Sequence, residues 1–430
     1  MATDLLGNKG IRLYNLFPRL AGSMIRWKEH LHRISFMGFN AVYVNPFHYP
    51  GFSGSLYSPK EFYKFNPAFI DNDARLSPAE QLREFIAACH EQGLLFIMDL
   101  VINHTAIDCT LIAEHPSWFK RAADGHVIHP GAWDNGKWIE WGDLAEVDNA
   151  SSPDRENLWQ FWWKMMAYYM DMGVDGFRCD MAYQVPDDLW RFLIHRARQK
   201  KSGCMFLAES LGCSFQQVEN LARLGFDYLF NSIKYWDFNQ PWGMEQYNRT
   251  SPVVASIAFP ESHDTKRLME EFNGDVAAVK RQLLFSALFS RGFMMPVGYE
   301  FGFRRHCDVV RTDPGWWEDT NIDLTEYVQK VCRLKDTSEA LNREAGLQIV
   351  DQENWYNVFC FKRSAPGAKT VLVAVNKDRF NHQRVFIHDL AAVLGPGIPR
   401  DVSPEYAMST VPRCFEYNLR PSEVKVLTIA

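Results

Sequence analysis

The sequence predicts an α/β chain folded as a closed (β/α)8 TIM barrel followed by a small antiparallel β-domain. Three observations carry this reading. Eight short apolar runs are spaced along the first three quarters of the chain, most of them separated by amphipathic, helix-like segments. The runs are almost continuously apolar, as strands buried on both faces of a parallel sheet are. From about Glu344 the pattern changes to short alternating strands set apart by turn residues.

The runs come in order as Ile11–Phe17, Ala41–Phe47, Leu94–Val101, Val174–Asp180, Cys204–Ser210, Phe226–Asn231, Val253–Phe259 and Gly292–Glu300. Between the second and third, "SPAEQLREFIAACHEQG" reads as a helix, with Ser77 and Pro78 as start signals and Gly93 as the stop. Before the fourth, "SPDRENLWQFWWKMMAYYMDMG" reads as another, with Ser152 as N-cap, Pro153 at the first helical position and Gly173 as the stop. Its stripe of aromatic and Met residues is expected to pack on the barrel. An open doubly wound sheet is the alternative, but it calls for a Gly-rich phosphate turn after the first strand, and "LYNLFPRLAG" has none. A long polar and aromatic stretch interrupts the alternation after the third strand. Four domain segments follow: a first barrel part over 1–104, an insertion over 105–150, the remaining barrel over 151–343 and a C-terminal β-sandwich over 344–430.

Composition narrows the function classes. The 430 residues are 47% hydrophobic and carry a net charge of -6, so there is ample core and no basic excess for a nucleic-acid partner. No apolar run is long enough to cross a bilayer, and the first ten residues do not read as a signal peptide. Nine scattered cysteines without a C-x-x-C pair suit a reducing, cytoplasmic setting. Aromatics reach 14%, which serves a large core and also supplies platforms for a flat ligand.

Barrel active sites lie at the C-terminal ends of the strands, and the polar residues there form a pattern. The second strand leads to Asn45 and, further along its loop, Tyr57. The third ends at Asp99, Asn103 and His104. The fourth supplies Arg178 and Asp180, which share one side of a strand because they are two apart. The fifth supplies Glu209, and the seventh Glu261, His263 and Asp264. Carboxylates gathered on one rim repel and so raise at least one pKa. That can keep one acid protonated and another ionised, as glycosyl transfer requires.

Taken together, these stretches resemble the α-amylase superfamily, glycoside hydrolase family 13. "DLVINH", "GFRCD", "AES" and "SHDT" are similar to its four short regions, in order, at the ends of strands three, four, five and seven. "GSLYSPKEFYKFNP" is similar to its segment after the second strand, and "WGDLAEVD" to the end of its domain B. The match covers roughly residues 11–303, and the β-rich tail fits the family's C-domain. The resemblance implies a retaining enzyme for α-glucosidic bonds, hydrolysing or transglycosylating, with Asp180 as nucleophile, Glu209 as acid/base and Asp264 as third carboxylate. It casts Tyr57, His104, Arg178 and His263 as substrate-binding, with Tyr57 stacking under a sugar ring. It implies a carbohydrate substrate and no required cofactor, while charge and hydropathy give no expectation of a nucleic-acid or membrane partner. Calcium at Asn103, with Asp143 as a second oxygen donor, is the one metal site it suggests.

The chain also departs from the pattern. After Asp180, Tyr183 and Gln184 stand where many starch-degrading members have a Lys-His pair, so ordinary endo-amylase action is not implied. "RLYNLFPRLAG" and "HPSWFKRAADG" resemble the maltosyltransferase branch, which makes α-glucan extension from a sugar phosphate donor an alternative. Two further alternatives are a non-catalytic carbohydrate-binding barrel and a metal-dependent barrel hydrolase using Asp99, His104, His263 and Asp264. The first is expected to have lost a carboxylate, and the second lacks a compact ligand motif such as H-E-x-x-H.

Overall fold

A computed structural model describes residues 6–134, 136–344 and 346–430. Its centre is a closed eight-stranded barrel: β1 (Arg12–Leu16), β2 (Ala41–Val44), β3 (Leu95–Leu100), β4 (Gly176–Cys179), β5 (Met205–Ala208), β6 (Tyr228–Phe230), β7 (Ala255–Ala258) and β8 (Gly292–Pro296). Neighbours are all parallel, and β8 closes onto β1 with Arg12 opposite Phe293. Every strand falls inside a run expected from the sequence.

Alternation sorts the strand residues into two cores. Leu13, Tyr43, Ile97, Leu207, Ile257 and Met294 fill the barrel interior. Tyr14, Val42, Met98, Phe177, Cys179 and Phe206 face the surrounding helices. The longer outer helices are α1 (Pro78–Glu91), α2 (Arg155–Met170), α3 (Asp187–Lys200), α4 (Phe215–Ala222), α5 (Trp242–Thr250), α6 (Val276–Phe289) and α7 (Thr325–Thr337). Helix α1 starts as expected: Ser77 and Glu80 form a capping box, and Gly93 takes φ +71° just beyond the end. Helix α2 starts two residues later than expected. Ser152 and Pro153 form a turn in which Arg155 N–H donates to the Ser152 carbonyl, and Asp154 is the N-cap. The Asp154 carboxylate caps no backbone N–H: Oδ2 accepts from Trp118 Nε1 at 2.8 Å and Oδ1 from Asn157 Nδ2 at 2.6 Å. The Met and aromatic stripe of α2, including Trp162, Met165 and Met166, packs into the outer core.

The insertion after β3 contains an antiparallel pair, His104–Ala106 with Leu144–Glu146, and between its strands a hairpin, Gly131–Asp134 with Lys137–Glu140. The C-terminal part contains β9 (Leu347–Ile349), β10 (Val358–Arg363), β11 (Val371–Asn376), β12 (Gln383–Ile387), β13 (Pro399–Asp401), β14 (Phe415–Leu419) and β15 (Val424–Ile429). Five of these form an antiparallel sheet ordered β9-β10-β11-β15-β13, and β12 pairs with β14. One face of the larger sheet meets the small one through Val358, Leu372, Val385 and Phe415. The other face packs on α6, where Phe285 and Phe289 meet Phe361.

Candidate active site

The site is built where β2, β3, β4, β5 and β7 end. Arg178 points into the barrel, and its 4% exposure means that its charge must be answered by protein groups. Three carboxylates answer it. Arg178 Nη1 lies 3.0 Å from Asp99 Oδ1 and 2.7 Å from Asp180 Oδ1, and Nη2 lies 3.0 Å from Glu209 Oε2. Strand order explains the convergence, since β4 sits between β3 and β5 with Arg178 level with Asp99 and Leu207. Cys179 faces the opposite way into the helix-facing core.

Burial works against the Arg178 cation, but the charges of Asp99 and Glu209 outweigh it and raise its pKa well above the usual value. Burial also raises the Asp180 carboxyl well above the ordinary range; Arg178 opposes this, and Glu209 and Asp99 add to it. Asp99 is raised by burial as well, against the pull of Arg178 and two tyrosine hydroxyls. Three carboxyls around one guanidinium therefore favour keeping a proton within the cluster.

Asp99 is the base of a buried polar network. Its Oδ2 accepts from Tyr43 at 2.5 Å and from Tyr57 at 2.7 Å. Asn45 donates to the Tyr57 hydroxyl at 2.9 Å, and His263 Nε2 lies 2.8 Å from that same oxygen. Tyr57 is thus held by its hydroxyl while its ring lines the cleft. His263 Nε2 is also 3.2 Å from Asp264, whose carboxylate is 47% exposed and open to a ligand. His104 lines the cleft but is tied down: Nε2 holds the Tyr57 carbonyl at 2.9 Å, and Nδ1 faces the Asn103 amide at 3.4 Å. Burial lowers His104 to about 4, and burial with Arg178 lowers His263 to about 3, so both imidazoles are neutral near pH 7. Trp141 and Asp143 of the insertion and Val309 after β8 complete the cleft wall.

Glu261 is not part of this group. It is buried 2.8 Å from Arg267 and accepts from Leu268 N–H, which makes it a structural ion pair. Two contributors are absent from the sequence-based set. Tyr43 carries a hydroxyl inside an otherwise apolar strand, on the same side as Asn45, and that spacing is a usable signal. Met181 N–H donates to Glu209 Oε2 at 2.8 Å from a left-handed backbone, φ +43°. Nothing in the sequence marks that conformation at a methionine.

Asn103 ties two loops together. Its Nδ2 donates to Gln184 Oε1 at 3.2 Å and lies 3.8 Å from Met181 sulfur, tying the loop after β3 to the loop after β4. Among the described residues no three His, Cys, Asp or Glu side chains are grouped to hold a metal ion. Calcium prefers six to eight oxygens, and the Asn103 amide nitrogen is given to Gln184. Gln184, one of the two residues that depart from the starch-degrading pattern, is thereby assigned a bond within the protein.

Comparison with known proteins shows what the chain is similar to. A family model described as "Glycogen debranching enzyme, glucanotransferase domain" matches residues 4–123. The chain is similar to an α-1,4-glucan:maltose-1-phosphate maltosyltransferase of Burkholderia pseudomallei, 25% identical over 67% of this chain and 25% of that protein. It is similar to a cyclomaltodextrinase of Bacillus sp, 24% identical over 82% of this chain and 65% of that protein. An α-amylase structure from Lactobacillus plantarum superposes with TM-score 0.79 at 20% identity, covering 99% of this chain and 100% of that one. These matches make the chain similar to proteins of the α-amylase superfamily, and the barrel fold is shared with solved α-amylases. The chain spans between 25% and 65% of the length of these two curated relatives. The proteins it is similar to include maltosyltransferases as well as amylases.

Proposed function

We propose that this chain is a retaining enzyme acting on α-glucosidic bonds of α-glucans, malto-oligosaccharides or a small α-glucoside. The observation that carries the proposal is the single guanidinium bridging Asp180 and Glu209. It suits the short carboxyl separation of about 5–5.5 Å used by retaining enzymes, as opposed to the wider gap of inverting ones. Asp180 attacks the anomeric carbon while Glu209 gives its proton to the departing glycosidic oxygen, leaving a glycosyl ester on Asp180. Glu209, now a carboxylate, takes the proton of an incoming hydroxyl that attacks the same carbon and frees Asp180. Water as that nucleophile gives hydrolysis, and a sugar hydroxyl gives transfer. Asp264 receives hydroxyls of the bound ring, while His263, Tyr57 and His104 hold the floor beneath it. The chemistry uses only the chain's own side chains.

A second reading, α-glucan extension from a sugar phosphate donor, is favoured by the maltosyltransferase relatives and uses the same intermediate with phosphate as the leaving group. Intact carboxylates at 180, 209 and 264 argue against a non-catalytic sugar-binding barrel. A cytoplasmic location accords with nine free cysteines, and no described helix is long and apolar enough to cross a membrane.

The test is a panel of α-glucosides, malto-oligosaccharides and sugar phosphates, with products read for size and anomeric form by NMR. The α-anomer is expected first, and a β-anomer as first product would refute retention. In Asp180→Asn, turnover is expected to fall by at least about 10³-fold with an unchanged circular dichroism spectrum.

A further inference from the structure

A second cavity, of about 280 Å³, lies between α6, α7 and the C-terminal sheet, and it shares no lining residue with the cleft around Asp180. Its charged groups are Lys280, Arg281 and Arg420 against Glu405 and Glu423. Lys280 is answered by Glu405 at 2.5 Å, and Glu423 by Lys425 at 3.1 Å. That leaves two guanidiniums. Arg281 is 6% exposed, its Nη1 donates only to the Asn376 and Lys377 carbonyls, and its Nε is buried without a partner. Among the described residues it has no carboxylate within ion-pair distance, and burial, with Arg379 adding to it and the more distant Asp275 opposing, lowers it to about 10. Arg420 lies flat on the Tyr406 ring at 3.8 Å and likewise has no acidic partner for its side chain.

Three further features point the same way. Ser422, 4% exposed, has an unpartnered Oγ and a left-handed backbone, φ +59°. Val276 and Ala277, the first residues of the 14-residue helix α6, line the cavity and turn its positive end toward it. Asp275 caps Ala278 N–H, but its charge is met by Arg379 at 3.2 Å. A buried cation with no carboxylate in direct contact is costly without an anion. The walls also carry the ring of Tyr406, one face of which is covered by Arg420, the ring of Tyr327 beneath Lys280 Nζ at 4.9 Å, and Glu405, which is paired with Lys280.

We propose that this cavity is a second ligand site, taking a small phosphorylated sugar with its phosphate on Arg281 and Arg420 and its ring against Tyr406. The volume is close to the lower end for ligand pockets, about 300 Å³, which suits one ring and its phosphate. A ligand here would bridge barrel and C-terminal sheet, away from the reacting carboxylates, so it would bind without being turned over.

The experiment is calorimetric titration of the full-length Asp180→Asn protein with glucose 6-phosphate, glucose and inorganic phosphate. Glucose 6-phosphate is expected to bind tighter than either fragment. Its affinity is expected to fall about tenfold in Arg420→Ala, the loss of one charge-assisted contact. Tyr406→Ala is expected to weaken glucose 6-phosphate but not inorganic phosphate. Arg420 is exposed and makes no side-chain ion pair, so R420A is expected to fold and, with Asp180 intact, to keep its basal activity. Absence of binding, equal affinity for inorganic phosphate, an unchanged affinity in R420A, or displacement by maltose from the catalytic cleft would each overturn the proposal. None of these outcomes bears on the reaction assigned to Asp180 and Glu209, which is judged by its products.

Discussion

Arg178 is the residue on which the candidate site depends. Its planar fork reaches three carboxylates at once, which a lysine, as a single point charge, cannot do. Arg178→Lys is therefore expected to lower kcat roughly 100-fold, the equivalent of one or two lost charge-assisted bonds, with a smaller change in KM. Steady-state kinetics with a circular dichroism control checks this, and wild-type kcat would contradict it. The positions of Arg178 and Asp180 are legible in the sequence because a two-residue spacing at a strand end fixes a shared direction. The same rule could have found Tyr43 beside Asn45. Met181 lies beyond it, since its contribution is a backbone N–H aimed by a φ of +43° that its side chain does not announce. Nor does any sequence rule show that His104 spends both ring nitrogens on protein groups.

At the scale of elements, β4 is held by what it lacks. A Cβ on Gly176 would come within 2.6 Å of the Met205 carbonyl and 2.8 Å of the Met205 Cβ on the adjoining strand. Backbone cannot step aside as a flexible side chain can, so Gly176→Ala is expected to cost about 1–3 kcal/mol and to pull Arg178 off its three partners. Urea unfolding measures the first effect and kcat the second; unchanged stability would show that the barrel wall yields there. All eight barrel strands are legible because runs buried on both faces leave a continuous apolar signature. The α2 start is not, because Asp154 is claimed by Trp118, a contact 36 residues away. Strand β14 is also easy to miss: "FEYNL" alternates cleanly, but it is short and follows a long irregular stretch.

Stability of the whole molecule carries a pH signature. His48, His104 and His263 are buried, and burial lowers the first two to about 4 and the third to about 3. Unfolded, each takes up a proton near pH 6.5 that the folded protein refuses. The unfolded state then binds more protons, so stability is full above about 6.5 and falls as pH drops toward 4. By pH 5 each contributes a loss on the order of 1–2 kcal/mol. Thermal melts from pH 7.5 to 5 are expected to show a falling Tm, while the His48 ring resonances stay unshifted down to pH 5. A flat Tm, or a His48 titration near 6.5, would argue the other way. The C-terminal sheet has a different consequence, for how copies of the chain meet. Its two borders, β9 and β13, are three residues each, and β13 opens on Pro399, which has no N–H to offer. Borders this short give a passing strand almost nothing to zip onto. Even crowded at high concentration, the protein should not polymerise edge to edge through this sheet.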